Sequence, residues 1–362
     1  MNMKQMKSAI SRFRGADVSV IKDEKLRNKA KSLQAKQGGF TLLELLVVIT
    51  LLATLATAAL VAYEGVGENA ADASAATAVT TMEGALRNYR AIEGEYPEQF
   101  DNLANVDGVL TGGAMDLMSA ETQAFFGQLT VPAATVDGAD ATFGAISTAL
   151  LEAGLEELQS VQSGTTWNAG YVPNLAMNES YPETLTLPGS EIEFTGTNAE
   201  FDENDMATNA FANFALSIVP SADTVTGNCQ VFAAGDLTAA FDTTTVADNA
   251  RLNLISDALG SDECNLVIAL GIGKEVPGAT SGSRVAIGQV PTVGTNNINP
   301  NENYARAIAL FHVGEDGSDG SAIDGAIGAT EIFSQARLLA VVDPEGRTID
   351  QVVAAARAGS DD

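Results

Sequence analysis

The feature that most constrains this chain is an apolar run of 23 residues, Phe40 to Ala62, broken by one charge, Glu44. A helix of that length spans about 34 Å at 1.5 Å per residue, enough to cross a bilayer. Thr50, Thr54 and Thr57 fall inside the run, and their hydroxyls can bond back to the helix. Charge is divided sharply on either side. Residues 1–39 hold ten basic and three acidic residues, a net of +7, and the remainder holds nine basic and 44 acidic residues, a net of −35. Basic residues flanking an apolar helix hold that end on the cytoplasmic side. The chain therefore reads as a basic leader, one membrane helix and an acidic head outside the cytoplasm. A secretory signal peptide shares the basic flank and small residues such as Ala56-Thr57-Ala58, but its apolar region is usually about 7–15 residues, with no acid near its start.

Glu44 separates these readings. A charge at the centre of a spanning helix costs about 2.5–3.5 kcal/mol on insertion scales, and less near the end. The position makes sense if the chain is cut after Gly39. Phe40 then gains a positive amine one helical turn from Glu44, in its own chain or in a neighbour.

The stretch Gly39-Phe40-Thr41-Leu42-Leu43-Glu44-Leu45-Leu46-Val47-Val48 resembles the processing site and N-terminal helix of type IV prepilins and pseudopilins. The resemblance implies cleavage after Gly39 by a prepilin peptidase and N-methylation of Phe40. It also implies that Glu44 neutralises the N-terminus of an adjacent subunit during filament assembly. The 39-residue leader is long for that family. Many type IV pilins carry a proline partway along the helix; residues 40–93 contain none, and Gly65-Val66-Gly67 is the weak point instead.

The helix is expected to continue to Ile92. Ala75, Val79, Met82, Leu86 and Tyr89 fall at i, i+4, i+7, i+11 and i+14, one face that would pack on a head. Gly94 should end it, and Tyr96-Pro97 starts an extended exit. Leu86-x-x-Tyr89-x-x-x-x-Gly94-x-Tyr96-Pro97 looks like the helix end of major pseudopilins of type II secretion. With the cleavage motif, the resemblance covers about residues 38–103.

The head is 269 residues long, from Gly94 to Asp362. Helices are expected over 114–129 and 140–160, the second with Leu150, Leu151, Leu155 and Leu158 as its apolar face. Residues 162–228 read as loops with short strands. Strands are expected at Gln230–Ala234, Asn265–Gly271, Arg284–Val290, Tyr304–Val313 and Ala336–Val342, with a helix near 246–258, making an antiparallel sheet. Thr348-x-x-Gln351 looks like a capping box opening a last helix with Ile349, Val352 and Val353 inward.

The head contains no Lys or Arg from Ala91 to Ala250, so it is not expected to bind nucleic acid, whose affinity rests on cationic contacts. The only His, His312, lies in an apolar run and reads as a strand residue, not a general base. Two cysteines, Cys229 and Cys264, would form a disulfide in an oxidising compartment or stay as buried thiols in a reducing one. Glu315, Asp316, Asp319 and Asp324 lie in a Gly-rich loop and are candidate ligands for Ca2+, which takes carboxylate and carbonyl oxygens from flexible loops. Major pseudopilins bind calcium in a C-terminal Gly/Asp loop, and this loop is similar; a solvated acidic hairpin is the competing reading.

Residues 1–39 are thus expected to be a prepilin leader, 40–93 a membrane and assembly helix, and 94–362 an α+β pilin-like head in which the helix packs on an antiparallel sheet. The expected role is a structural subunit of a type IV pilus-like filament or a type II secretion pseudopilus, not an enzyme. It would be single-pass in the inner membrane, with its head periplasmic or extracellular. Its partners would be prepilin peptidase, other pilin or pseudopilin subunits and an inner-membrane assembly platform. The alternative is a signal-anchored extracytoplasmic binding protein or enzyme unrelated to filaments.

Overall fold

The computed structural model describes residues 3–35, 42–104, 118–132, 141–161, 189–194, 199–201, 213–223, 227–229, 237–240, 250–256, 259, 263–273, 290, 292–295 and 297–358. The chain divides into two compact units, Met1–Glu64 and Gly65–Asp362.

The first unit opens with a helical hairpin that the basic composition does not announce. Helix α1 (Met3–Arg14) and helix α2 (Glu24–Ala35) are joined through a short 3-10 turn at Val18–Val20. Local capping explains where the turn and α2 begin. Asp17 accepts from the Ser19 N–H at 2.9 Å, and Asp23 accepts from the N–H groups of Lys25 and Leu26. The Gln34 side-chain amide donates to the carbonyls of Phe13 and Ala16, at 2.7 and 3.1 Å, and ties the end of α2 back to the end of α1. Helix α3 runs Leu42–Glu93 and contributes to both units; its first part belongs to this one.

The second unit is α+β. Its strands are β1 (Gln99–Asn102), β2 (Gly127–Pro132), β3 (Glu157–Val161), β4 (Gly189–Phe194), β5 (Ala199–Phe201), β6 (Asn213–Val219), β7 (Ala222–Asp223), β8 (Gly227–Asn228), β9 (Thr238–Ala240), β10 (Asn265–Gly271), β11 (Ile308–Glu315) and β12 (Ile332–Val342). Its shorter helices are α4 (Ala120–Phe125), α5 (Ala141–Leu151), α6 (Ala250–Ile255) and α7 (Ile349–Ala358). Among the described residues, ten strands form one sheet around β10, and β7 with β8 makes a separate hairpin. One edge of β10 takes β1 near its end and β6 further back; the other takes β11, which in turn pairs with β12. The Asn102 amide donates to the Ala215 carbonyl at 2.8 Å and bridges the branches begun by β1 and β6. The sheet is mixed, not purely antiparallel, because β1 and β3 run parallel.

Both sheet faces are covered. On one, Val79, Met82, Leu86 and Tyr89 of α3 and Phe143, Ile146 and Leu150 of α5 pack on Ile268, Leu270, Ala309 and Phe311. On the other, Leu103, Phe126 and Leu252 surround Val267, Tyr304 and Leu310. A third cluster joins Ala75 and Ala78 of α3 to Val293 and Val352. The face predicted from spacing, Ala75, Val79, Met82, Leu86 and Tyr89, is buried throughout. Gly94 adopts φ +96° and ends the helix as expected. Strand β10 matches its predicted bounds, and Gln351 accepts from the Thr348 N–H at 2.9 Å at the start of α7.

Other expectations need correction. Residues 140–160 are not one helix: α5 stops at Leu151, and Leu158 lies in β3. Gly154, at φ +90°, makes the break, and a Cβ there would sit 2.7 Å from Glu95 Cβ and the Tyr96 carbonyl. Residues 127–129, expected to be helical, open β2. The last strand is longer than predicted, starting at Ile332. The strand expected at Gln230–Ala234, and Arg284–Val290 up to its last residue, lie outside the described residues.

Candidate functional site: the N-terminal helix and its exit

The first turn of α3 carries Glu44, and from Leu42 to Val61 none of the helix is buried within the protein. Leu45, Leu46, Val47, Val48, Ile49, Leu51, Leu52 and Leu55 are all exposed. A helix apolar on every side has no stable place in water and requires lipid or other helices. The three threonines do not disturb this. Thr50 donates to the Val47 carbonyl, Thr54 to Leu51 and Thr57 to Ala53, each at 2.9 Å, so every hydroxyl proton is used within the helix. Glu44 is exposed on this helix, where a carboxylate in the first turn complements the positive end of the helix dipole. Gly39 and Phe40, the bond expected to be cut and the residue expected to be methylated, lie outside the described residues. Gly65, Val66 and Gly67 are helical in backbone, so the glycines do not end α3.

Where α3 ends, Tyr96 locks the exit. The Arg90 guanidinium donates to its hydroxyl at 2.6 Å and lies 4.7 Å above its ring. The hydroxyl also accepts from the Leu338 N–H of β12, and the ring meets Phe311 edge-on at 5.2 Å. Tyr96 therefore fixes the end of α3 to the centre of the sheet. The string Tyr89-x-x-x-x-Gly94-x-Tyr96 thus has a physical role here: a face residue, a left-handed stop and a plug.

Cys229 and Cys264 are joined in a disulfide, with Cα atoms 5.8 Å apart and a sequence separation of 35. The proposed calcium ligands are not gathered into a site. Asp316 accepts from the N–H groups of Asp324 and Gly325, and Asp319 from Ser321 N–H and the Thr330 hydroxyl. Asp324 accepts from Ala326 N–H, while Glu315 faces Glu263, and burial with that neighbour raises its pKa. These carboxylates help to close the loop, as does Glu331, which accepts from Gly317, Ser321 and Gly328. Among the described residues no three His, Cys, Asp or Glu side chains are placed to hold a metal ion. His312 is a buried strand residue against Phe333, with ring centres 4.8 Å apart, and burial beside Arg337 lowers its pKa to about 4.

Two charged clusters in the head carry no sequence signal. Asp101 of β1 is 5% exposed and accepts from the Tyr304 hydroxyl at 2.7 Å; desolvation pushes its pKa up to about 7 despite that bond and the nearby Arg306. Arg347 meets three carboxylates, Asp343 at 2.7 Å, Glu345 at 2.8 Å and Asp72 of α3 at 3.2 Å. The sequence shows only acids spaced around a lone Arg, which is common in so acidic a chain.

Residues 34–60 match the prokaryotic N-terminal methylation motif, the prepilin-type motif of type IV pilins and pseudopilins. No curated protein and no solved structure matches the chain. The matched segment takes in the end of α2, the Gly39–Phe40 bond and the apolar part of α3, so the motif and the exposed membrane-length helix coincide. The motif indicates a prepilin-processed, type IV pilin- or pseudopilin-like protein that is handled by prepilin peptidase and assembles with other pilin subunits.

Proposed function

We propose that this chain is a structural subunit of a type IV pilus-like filament or secretion pseudopilus, organised as a leader over residues 1–39, an assembly helix over 40–93 and a pilin-like head over 94–362. The observation that carries the reading is the exposed apolar helix Leu42–Val61, with one acid in its first turn, inside a prepilin-type motif. Prepilin peptidase cuts after Gly39, and Phe40 becomes the methylated N-terminus. The helix is first the single-pass anchor in the inner membrane, with the head on the outer side, where the Cys229–Cys264 disulfide is stable. An assembly platform then transfers subunits into the filament, where their helices pack on one another.

Glu44 supplies the registry. In an apolar bundle an uncompensated carboxylate is costly, and the Phe40 amine of a neighbouring subunit satisfies it at one axial position only. Glu44→Ala is expected to insert in the membrane and be cut like the native chain, yet fail to enter filaments. Filaments incorporating this variant at the native level would sink the mechanism. Gly39→Leu should block the cut and leave the leader attached.

A further inference from the structure

We propose that the α1–α2 hairpin, residues 3–35, is a lipid-binding element that lies in the headgroup layer of an anionic membrane face beside the span. This rests on the reading of Leu42–Val61 as a bilayer helix; it adds a second, separable attachment to the same membrane. Among its described side chains, four large apolar ones are exposed. Val20 is 76% exposed, Leu26 59%, Leu33 49% and Phe13 38%. In α2, Leu26, Ala30 and Leu33 fall at i, i+4 and i+7, one stripe, and the exposed Lys25 and Lys29 flank it on one side. An apolar stripe bordered by cations on an otherwise polar helix is the pattern of a helix lying flat in a membrane interface.

Charge and tether length identify the occupant of that stripe. Residues 1–39 carry a net +7, and a basic segment next to a span is drawn to anionic lipid within a Debye length of the surface. Ala35 and Leu42 are seven residues apart, so the hairpin cannot stand more than about 25 Å from the start of the span. It therefore samples the bilayer surface at high effective concentration. The Gly39–Phe40 bond is then bracketed by two membrane-attached segments, and separating them at that bond leaves the mature chain with the span alone. A protein partner for the stripe would need neither anionic lipid nor low salt, which makes the two occupants separable.

The test uses the full chain carrying Trp167→Phe and Leu26→Trp, which leaves one indole, on the hairpin. It is reconstituted into vesicles of phosphatidylcholine alone or of phosphatidylcholine with phosphatidylglycerol, each containing chain-brominated lipid. In anionic vesicles the emission should shift to the blue and be quenched by bromine. Both effects should be lost in zwitterionic vesicles, in high salt, and in Lys25→Glu/Lys29→Glu. Lys25→Gln/Lys29→Gln, which keeps helix-forming residues, should weaken partition about fivefold per charge removed. Equal quenching in both vesicles, or an indole that aqueous iodide reaches equally in both, would overturn the proposal. Alkaline extraction of the same vesicles separates the two attachments. A chain that resists extraction while its indole stays in water refutes the hairpin proposal and leaves the span standing. A chain that alkali removes although its indole is quenched in anionic vesicles at neutral pH refutes the span and leaves the hairpin standing.

Discussion

Replacing Asp101 by Asn should stabilise the head at alkaline pH and do progressively less as pH falls. Asp101 sits in β1 against Gly271 of β10, which the hydroxyl end of Tyr304 also approaches. The Tyr304 hydroxyl is 2.7 Å from its carboxylate and 3.4 Å from the Ile272 carbonyl. A protonated Asp101 can donate to the Tyr304 oxygen while the Tyr304 hydroxyl turns to donate to the Ile272 carbonyl, so the neutral acid keeps every group satisfied. Burial raises the folded pKa from an ordinary 3.8 to about 7. The folded state thus binds more protons than the unfolded state between those values, and stability falls as pH rises through that window. The loss levels off above about pH 7, where both states are ionised, and totals about 4 kcal/mol at 1.36 kcal/mol per pH unit. Asn keeps an acceptor for Tyr304 and cannot ionise. The stability difference between Asp101→Asn and the native chain should therefore grow by about 2–3 kcal/mol from about pH 5 to about pH 8. Guanidinium unfolding of the full chain in detergent, followed through the single Trp, Trp167, measures it. A difference that stays flat across that range refutes the argument that Asp101 is held neutral by burial.

Other sites give independent tests. Arg347→Ala leaves the buried Asp343 with Glu345 and Asp72 around it and no cation between them, and should cost about 3–5 kcal/mol in the same unfolding assay. Reducing the Cys229–Cys264 bridge, or making Cys229→Ala with Cys264→Ala, frees a 35-residue loop and should cost about 4 kcal/mol in the chain-entropy view, read as a lower guanidinium midpoint. Adding calcium should not move the unfolding midpoint, because among the described residues no three of these acidic side chains converge on one point.

Local pattern is legible where one element carries its own periodicity. The buried face of α3 and the Gly94 stop follow from spacing and from glycine's freedom at positive φ. From Leu266 on, strand β10 is an unbroken apolar run, buried along its whole length. Residues 140–160 mislead because Leu155 and Leu158 fit a helical period as well as a strand. What ends α5 is Gly154, whose close approach to Tyr96 is a tertiary fact. The parallel pairing of β1 with β3 joins residues 58 apart, across segments with no local sign of each other. The same holds for Asp101, whose pKa is raised by burial under the folded head and whose hydrogen-bond partner, Tyr304, is 203 positions away. The basic hairpin is hard to see for a different reason: its charge count hides the Leu26, Ala30, Leu33 stripe and the Asp17 and Asp23 caps. For the apolar segment Leu42–Val61 the signal lies in the sequence itself, since among the described residues none of it is buried.

The central claim is most directly tested by the N-terminus of the mature chain. Mass spectrometry of protein recovered from membranes of its own host should find a chain that begins at Phe40 and carries one methyl group on that residue's amine. A chain that keeps residues 1–39, or one cut near Ala59, would contradict it.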